Sequence, residues 1–377
     1  MSVDEAMWDQ IRRGTPPTLQ AVDALAALDR VTLGSGRVAA LRSKMVAEVF
    51  GAGPLQELLE QGAVTDVLVN GTDGVWIDRG NGLEETSCDV GDAVAVRRLA
   101  VRLATAAGRR LDETTPFVDG LLPGGVRLHA VLPPLVAHAA HISLRVPRDH
   151  PPTVAALQAA SMFGQLGAEV LCQLVAARAA FVVTGGTGSG KTTLLGALLS
   201  LVPVTERIVV VEDVRELRID HPHVVALQGR TPNVEGAGAV SLETLVRQSL
   251  RMRPDRLVVG EVRGGEVREL LTAFNTGHEG GCGTVHANAA SDVPARFEAL
   301  GALAGMSEHA VRTQLVSAIQ VVIHLRREAG VRIVGEIGVI GWDGAALQVD
   351  PALIREGGRL ERGCGWDALA QILRVRA

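Results

Sequence analysis

Phe181–Thr193 reads FVVTGGTGSGKTT. A run of β-branched and aromatic residues stops at a glycine cluster, and TTLLGALLSLV, from Thr192 onward, has the apolar content of a buried helix. Within this stretch Gly185–Thr192 fits G-x-x-x-x-G-K-[ST] at every fixed position. The pattern carries a mechanism when it joins a strand to a helix. Gly185, Gly186, Gly188 and Gly190 free the backbone to turn its N–H groups around a phosphate. The helix that follows presents the positive end of its dipole to the same anion. Lys191 reaches the β- and γ-phosphates, and the Thr192 hydroxyl is placed to ligate Mg2+. Thr187, Ser189 and Thr193 complete the loop. Only Lys44 and Lys191 are lysine among 37 basic residues, so a lysine here stands out from an arginine background. The reading is ATP with Mg2+ at Gly185–Thr193.

Outward from the loop, short apolar runs alternate with helical segments. RIVVVED (207–213) is a strand ending in acids, LETLVRQSLRM (242–252) is helical, and DRLVVGE (255–261) is a strand ending in an acid. GGEVRELLTAFNTG (264–277) is helical again, and GCGTVHAN (281–288) is strand-like. Such alternation predicts an α/β fold with a mainly parallel sheet covered on both faces. Ligands in such sheets bind beyond the carboxyl ends of the strands, where Glu212, Asp213 and Glu261 fall. ATP hydrolysis needs one carboxylate to orient or deprotonate water and another to hold Mg2+, directly or through water. Glu261 and Glu212 are the candidates, with Glu261 also a metal candidate and Asp213 supporting. The division of labour between the two glutamates stays open, and helix capping or a surface pair is the plain alternative for each.

TGHEGGCGTVHANAA (276–290) holds His278, Cys282 and His286 at spacings of four. On a helix they would converge, but Gly280, Gly281 and Gly283 each cost a helix about 1 kcal/mol. In an extended run Cys282 and His286 share a face, with no fourth metal ligand evident. His278 reads as a structural histidine. His286, near a strand end, is placed to hydrogen-bond a γ-phosphate or its attacking water and to sense its loss.

Composition narrows the class. Hydrophobic residues make up 47% and charged residues 21% of the 377, enough for globular domains with a real core. Cys88, Cys172, Cys282 and Cys364 form no C-x-x-C pair, which argues against a disulfide framework or zinc ribbon. The acids of MSVDEAMWDQ are not those of a signal peptide. The longest apolar run, near Val170–Gly185, is interrupted by Arg178 and falls short of the roughly 18 apolar residues of a membrane span. A cytoplasmic protein docked on a membrane partner is expected. The net charge of −5 and 3% aromatic content offer nucleic acid neither a basic stripe nor a stacking platform.

Residues 1–50 read as a helical segment. VTDVLVNGTDGVWIDRGNGLEE (64–85) holds two β-rich runs with turn signals, a helix is expected near Ala93–Ala107, and GVRLHAVLPPL and AHISLRVP read as strands. An α+β N-terminal domain therefore spans 51–147. Proline and charge in VPRDHPPT (146–153) mark a linker at 148–153, and the ATPase domain runs over 154–377.

Several of these stretches together resemble the secretion-ATPase superfamily that serves type II secretion, type IV pili and type IV secretion. More closely, the chain looks like the Tad/CpaF-type ATPases of Flp pilus assembly. GAGPLQELL, VTDVLVNG and VWIDRG resemble the family's N-terminal domain, and RRLDETTPFVDGLLPGGVRLHAVLPPL with HISLRVP its arginine-bearing segment. VVVEDVREL resembles the aspartate box, LRMRPDRLVVGEVRGGE the second nucleotide motif, and TGHEGGCGTVHAN the histidine box. The second motif ends in Gly260-Glu261 where Asp-Glu is usual among P-loop enzymes; Gly124 and Cys282 also depart from the family pattern. The resemblance implies a RecA-like P-loop C-terminal domain, a smaller α+β N-terminal domain and a homo-hexameric ring with nucleotide between the domains. It implies that Arg127 and Arg145 approach the phosphates, with Arg247, Arg251 and Arg253 as weaker ring contacts. The partner would be an inner-membrane platform protein of a pilus or secretion system. A conjugation-type DNA-transfer motor and a nucleotide-binding scaffold are the competing readings.

Overall fold

Two apolar rhythms run through the chain, a period near 3.6 and a period of two or less, and the architecture follows from where each occurs. A computed structural model describes residues 46–47, 51–80, 82–146, 151–230, 238–277, 280–342 and 346–374. The expected helical segment 1–50, apart from residues 46–47, and His278 lie outside the described residues. The chain divides into two compact units, Met1–Arg148 and Asp149–Ala377.

The first unit holds a short helix α1 (Gln56–Leu59), strands β1 (Asp66–Asn70), β2 (Val75–Asp78) and β3 (Leu83–Glu85), helix α2 (Ala93–Ala106), then β4 (Phe117–Leu121), β5 (Arg127–Val131) and β6 (His141–Arg145). Its strands form one antiparallel sheet in the order β3-β2-β1-β6-β5-β4. The apolar stripe Val96, Leu99, Ala100 and Leu103 of α2 packs with Val67, Val69, Ile77, Leu128, Ile142 and Leu144 of the sheet. The Asp92 side chain starts that helix by accepting from Ala95 N at 2.8 Å. The stretch read as two β-rich runs folds as three strands, and β4 was not visible as a strand because Pro116 and Gly120 interrupt its pattern.

The second unit continues with α3 (Val154–Ala159), α4 (Gln165–Ala176), β7 (Phe181–Gly185), α5 (Lys191–Leu199), β8 (Ile208–Glu212), β9 (Val224–Gln228), α6 (Leu242–Ser249), β10 (Arg256–Val262), α7 (Glu266–Asn275) and β11 (Cys282–Val285). Helices α8 (Val293–Leu303) and α9 (Glu308–Ala318) follow, then β12 (Val321–Glu328), β13 (Val331–Trp342), β14 (Leu347–Glu356), β15 (Arg359–Arg362) and α10 (Trp366–Arg374). The sheet order is β15-β14-β13-β12-β7-β11-β10-β8-β9. From β12 to β9 every pairing is parallel, whereas β13, β14 and β15 add on antiparallel. Apolar clusters cover both faces. Leu171, Leu174, Leu194 and Leu198 pack on Val183, Val210, Val258 and Ile323 on one side. Leu270, Leu271, Phe297 and Leu315 pack on Val182, Val211, Val259 and Val322 on the other. This two-faced burial explains the continuous apolar runs of the central strands.

One charge is buried at the start of β10. Arg256, 2% exposed, donates through Nε to Glu206 Oε2 at 2.6 Å and through Nη2 to Val175 O at 3.0 Å. Arg178 Nη1 lies 3.3 Å from the same carboxylate. A Glu206→Ala variant is expected to lose about 3 kcal/mol of unfolding free energy, because it leaves a buried guanidinium without its counter-charge. Urea titration measures this, and an unchanged midpoint would show the pair to be energetically idle.

Candidate active site at the strand ends

The phosphate loop leaves β7 at Gly185, whose φ of +144° and surroundings both demand glycine: a β-carbon there would lie 2.3 Å from Leu325 O. Gly188 and Gly190 also have positive φ, and Gly190 caps α5 in the left-handed conformation. Lys191 opens the helix and folds back over the loop. Its Nζ donates to Gly185 O at 2.8 Å and Gly186 O at 2.9 Å, and lies 3.4 Å from His286 Nε2. Burial holds the Lys191 pKa below its ordinary value, with Glu261 pulling it back up. Thr192 and Thr193 stand half-buried on the first turn, and Thr187 is exposed on the loop. Ser189 Oγ is buried and has no hydrogen-bond partner among the described residues. A glycine-lined loop at a helix N-terminus, with a lysine and an unpartnered hydroxyl, fits a nucleotide's phosphates.

The histidine box and the second nucleotide motif meet at Lys191. β11 ends at Val285 and β10 at Val262, and the two strands are neighbours in the sheet. His286 Nε2 lies 3.1 Å from Glu261 Oε1, so Lys191, His286 and Glu261 form one cluster at the carboxyl ends of three strands. Burial first, then Lys191 and Arg296, hold the His286 pKa below its ordinary value, against the pull of Glu261. The imidazole is therefore neutral at neutral pH. It can donate to the carboxylate or accept from the lysine according to its tautomer.

Glu212, at the end of β8, is 5% exposed. Its Oε1 accepts from Leu217 N at 2.9 Å and Glu216 N at 3.2 Å, while Oε2 has no partner among the described residues. Desolvation raises its pKa, opposed by the two amides. One oxygen thus braces the loop after β8, and the other is buried without a partner among the described residues. Glu212 also explains the Gly-Glu ending of the second motif. A β-carbon at Gly260 would fall 2.4 Å from Glu212 Cγ, so an aspartate there would collide with this glutamate. Asp213 forms an ion pair with Arg263. Glu266 Oε1 accepts from Arg263 N at 2.6 Å and Gly264 N at 2.8 Å, fixing the turn that carries Arg263. Arg263 and Glu266 were not singled out from the sequence; the signal was a glutamate three residues past Arg263 at a helix start.

Cys282 is fully buried in the apolar cluster beneath α5, and desolvation pushes its thiol up to about 12. That environment suppresses the thiolate a metal would need. No cluster of three or more His, Cys, Asp or Glu suited to a metal occurs among the described residues. Arg127 and Arg145 belong to the first unit. They face each other across β5 and β6 on the side of the sheet opposite α2, and Arg145 Nε donates to Asp66 Oδ1 at 3.2 Å. Arg247 lies 3.8 Å from Glu243 one helical turn away. No helix among the described residues is long and apolar enough to cross a membrane.

A family profile described as Type II/IV secretion system protein matches residues 48–337. The chain is 53% identical over 354 residues to the putative conjugal transfer protein of Mycobacterium tuberculosis strain H37Rv, covering 92% of this chain and 99% of that one. Conjugal transfer protein TrbB of Rhizobium radiobacter is 30% identical over 289 residues, covering 74% and 84%. The solved structure of the ATPase DotB from Legionella pneumophila shares the fold. It has a TM-score of 0.55 at 19% identity and covers 75% of this chain and 79% of its own.

The cluster makes a titration prediction. Followed by NMR, the His286 midpoint should lie below that of an ordinary histidine. Lys191→Ala should raise it by removing a positive neighbour, and Glu261→Gln should lower it further by removing the negative one. Opposite movements would show that the three groups do not meet.

Proposed function

We propose that this chain, which belongs to the family of type II/IV secretion system proteins, is an ATP hydrolase that powers a pilus or secretion machine at the cytoplasmic face of a membrane. The observation that carries the reading is the convergence of Lys191, His286 and Glu261 beside the Gly185–Thr193 loop. The loop amides and Lys191 hold the phosphates. Thr192 and Glu261 would hold Mg2+, Glu261 directly or through water, and the ion would draw charge from the phosphate oxygens. Glu261 orients or deprotonates the attacking water, with Glu212 supporting it through its unbonded oxygen. His286, tied to both Lys191 and Glu261, reports phosphate loss to the strands behind it. Arg127 and Arg145 add positive charge toward the phosphates during turnover. The working assembly is a homo-hexamer engaging an inner-membrane platform protein.

Among machines, the motif pattern favours Flp/Tad-type pilus assembly. A second reading, a conjugation-type motor, is supported by the names of two relatives, both conjugal transfer proteins. Lys191→Ala should lower phosphate release at least about a hundredfold while the protein stays folded. Glu261→Gln should keep ATP binding and lose about a hundredfold or more in turnover; a wild-type rate would move water activation to Glu212. For the choice of machine, turnover should be indifferent to single-stranded DNA. Severalfold, salt-sensitive stimulation by DNA would establish the conjugation reading as a motor that handles nucleic acid itself.

A further inference from the structure

Two arginines outside every motif named above flank the phosphate loop. Leu325 on β12 is level with Gly185 on β7, so the residues after Leu325 run past the end of β7 and alongside the loop. Arg327 on β12 and Arg332 on β13 are directly opposite each other. Alternation puts Arg327 on the face of Ile323 and Leu325, which pack in one cluster with Leu194 and Leu198 of α5. There Arg332 Nε donates to Gly188 O at 3.1 Å. A β-carbon on Gly188 would lie 3.7 Å from Arg327 Nη2, and one on Gly190 would lie 3.3 Å from Arg332 Cδ and 3.4 Å from Met162 Cε. In a loop that turns its N–H groups inward, a carbonyl such as that of Gly188 faces out. Arg332 therefore sits on the rim of the loop rather than in the phosphate nest.

The sheet order tells which end of a nucleotide this rim would meet. β11 and β10 lie on one side of β7, β12 and β13 on the other. Glu261 and His286, on the first side, mark the end where the γ-phosphate and attacking water belong. A nucleotide lying across the loop has its nucleoside end on the opposite side, beside Arg332 and Arg327. A guanidinium can donate to ribose oxygens and stack on a purine at once.

Resting on the ATPase reading, we propose that Arg332, with Arg327 opposite it, binds the nucleoside end of the nucleotide, the ribose and purine, from within the same chain.

The test compares ATP with inorganic tripolyphosphate, which has the phosphates but no nucleoside. Arg332→Ala should raise the KM for ATP about tenfold, the loss of one charge-assisted contact, with kcat falling less than about threefold. Inhibition by tripolyphosphate should keep its wild-type constant. Arg332→Lys should fall between the two, because it keeps the charge and loses the fork. Arg326→Ala, on the other face of the hairpin and bridged to Glu328, should leave the KM for ATP as it was. An unchanged KM in Arg332→Ala would overturn the assignment. So would equal weakening of ATP and tripolyphosphate, which would make Arg332 a brace for the loop. A wild-type protein that binds no ATP would overturn the ATPase reading first and this assignment with it.

Discussion

Close approach at glycines in the central strands is the constraint on which the rest of this site depends. Gly185 lies against Leu325 O, Gly260 against the Glu212 side chain, and Gly283 against Val259 O, each closer than a β-carbon would allow. Three strand ends can then stand side by side with no side chain wedged between them. That closeness lets a lysine from α5, a glutamate from β10 and a histidine following β11 share one small volume. A β-carbon would lie 2.3 Å from its nearest neighbour at Gly185, 2.4 Å at Gly260 and 2.7 Å at Gly283, so a methyl group at any of them forces a strand or a side chain aside, and small displacements are costly where groups must meet.

Electrostatics then sets the state of each group. Burial penalises the charged forms of Lys191 and Glu212 alike, moving the first pKa down and the second up. Glu261, more exposed, works against the penalty on Lys191 and on His286. A polyanion beside Lys191 acts in the same direction as Glu261 and favours the charged amine. The two backbone amides on Glu212 Oε1 partly offset the desolvation of this carboxylate, whose second oxygen is buried without a partner among the described residues.

Local patterns made the nucleotide half of the second unit readable. The strand–loop–helix of Phe181–Leu199, the acid-ended strands β8 and β10, and β11 each carry their signal within about ten residues. What stayed hidden was non-local. The three antiparallel pairings after Val321 depend on cross-strand pairing over the hairpins β12 to β15, which no window of sequence displays. The collision that forces glycine at 260 joins residues 48 positions apart in β8 and β10, so the Gly-Glu ending could be seen as a departure but not explained. The three-residue spacing between Arg263 and Glu266 was legible in principle, yet among 42 acids a single helix-start glutamate does not announce itself.

The paired arginines of the first unit show how register adds what composition withholds. With 35 arginines in 37 basic residues, any one of them is ordinary, and only the resemblance distinguished Arg127 and Arg145. The sheet supplies a separate argument. Arg127 and Arg145 are level neighbours on β5 and β6, and Asp66 is level with Arg145 on its other side, on β1. Two like charges abreast disfavour a sheet, and the half-buried Asp66 carboxylate accepts from Arg145 at 3.2 Å. Buried leucines at 128 and 144 fix both strands in this register, so the arginines cannot move apart without exposing the core. The fold thus holds two guanidinium groups level with each other on one sheet face.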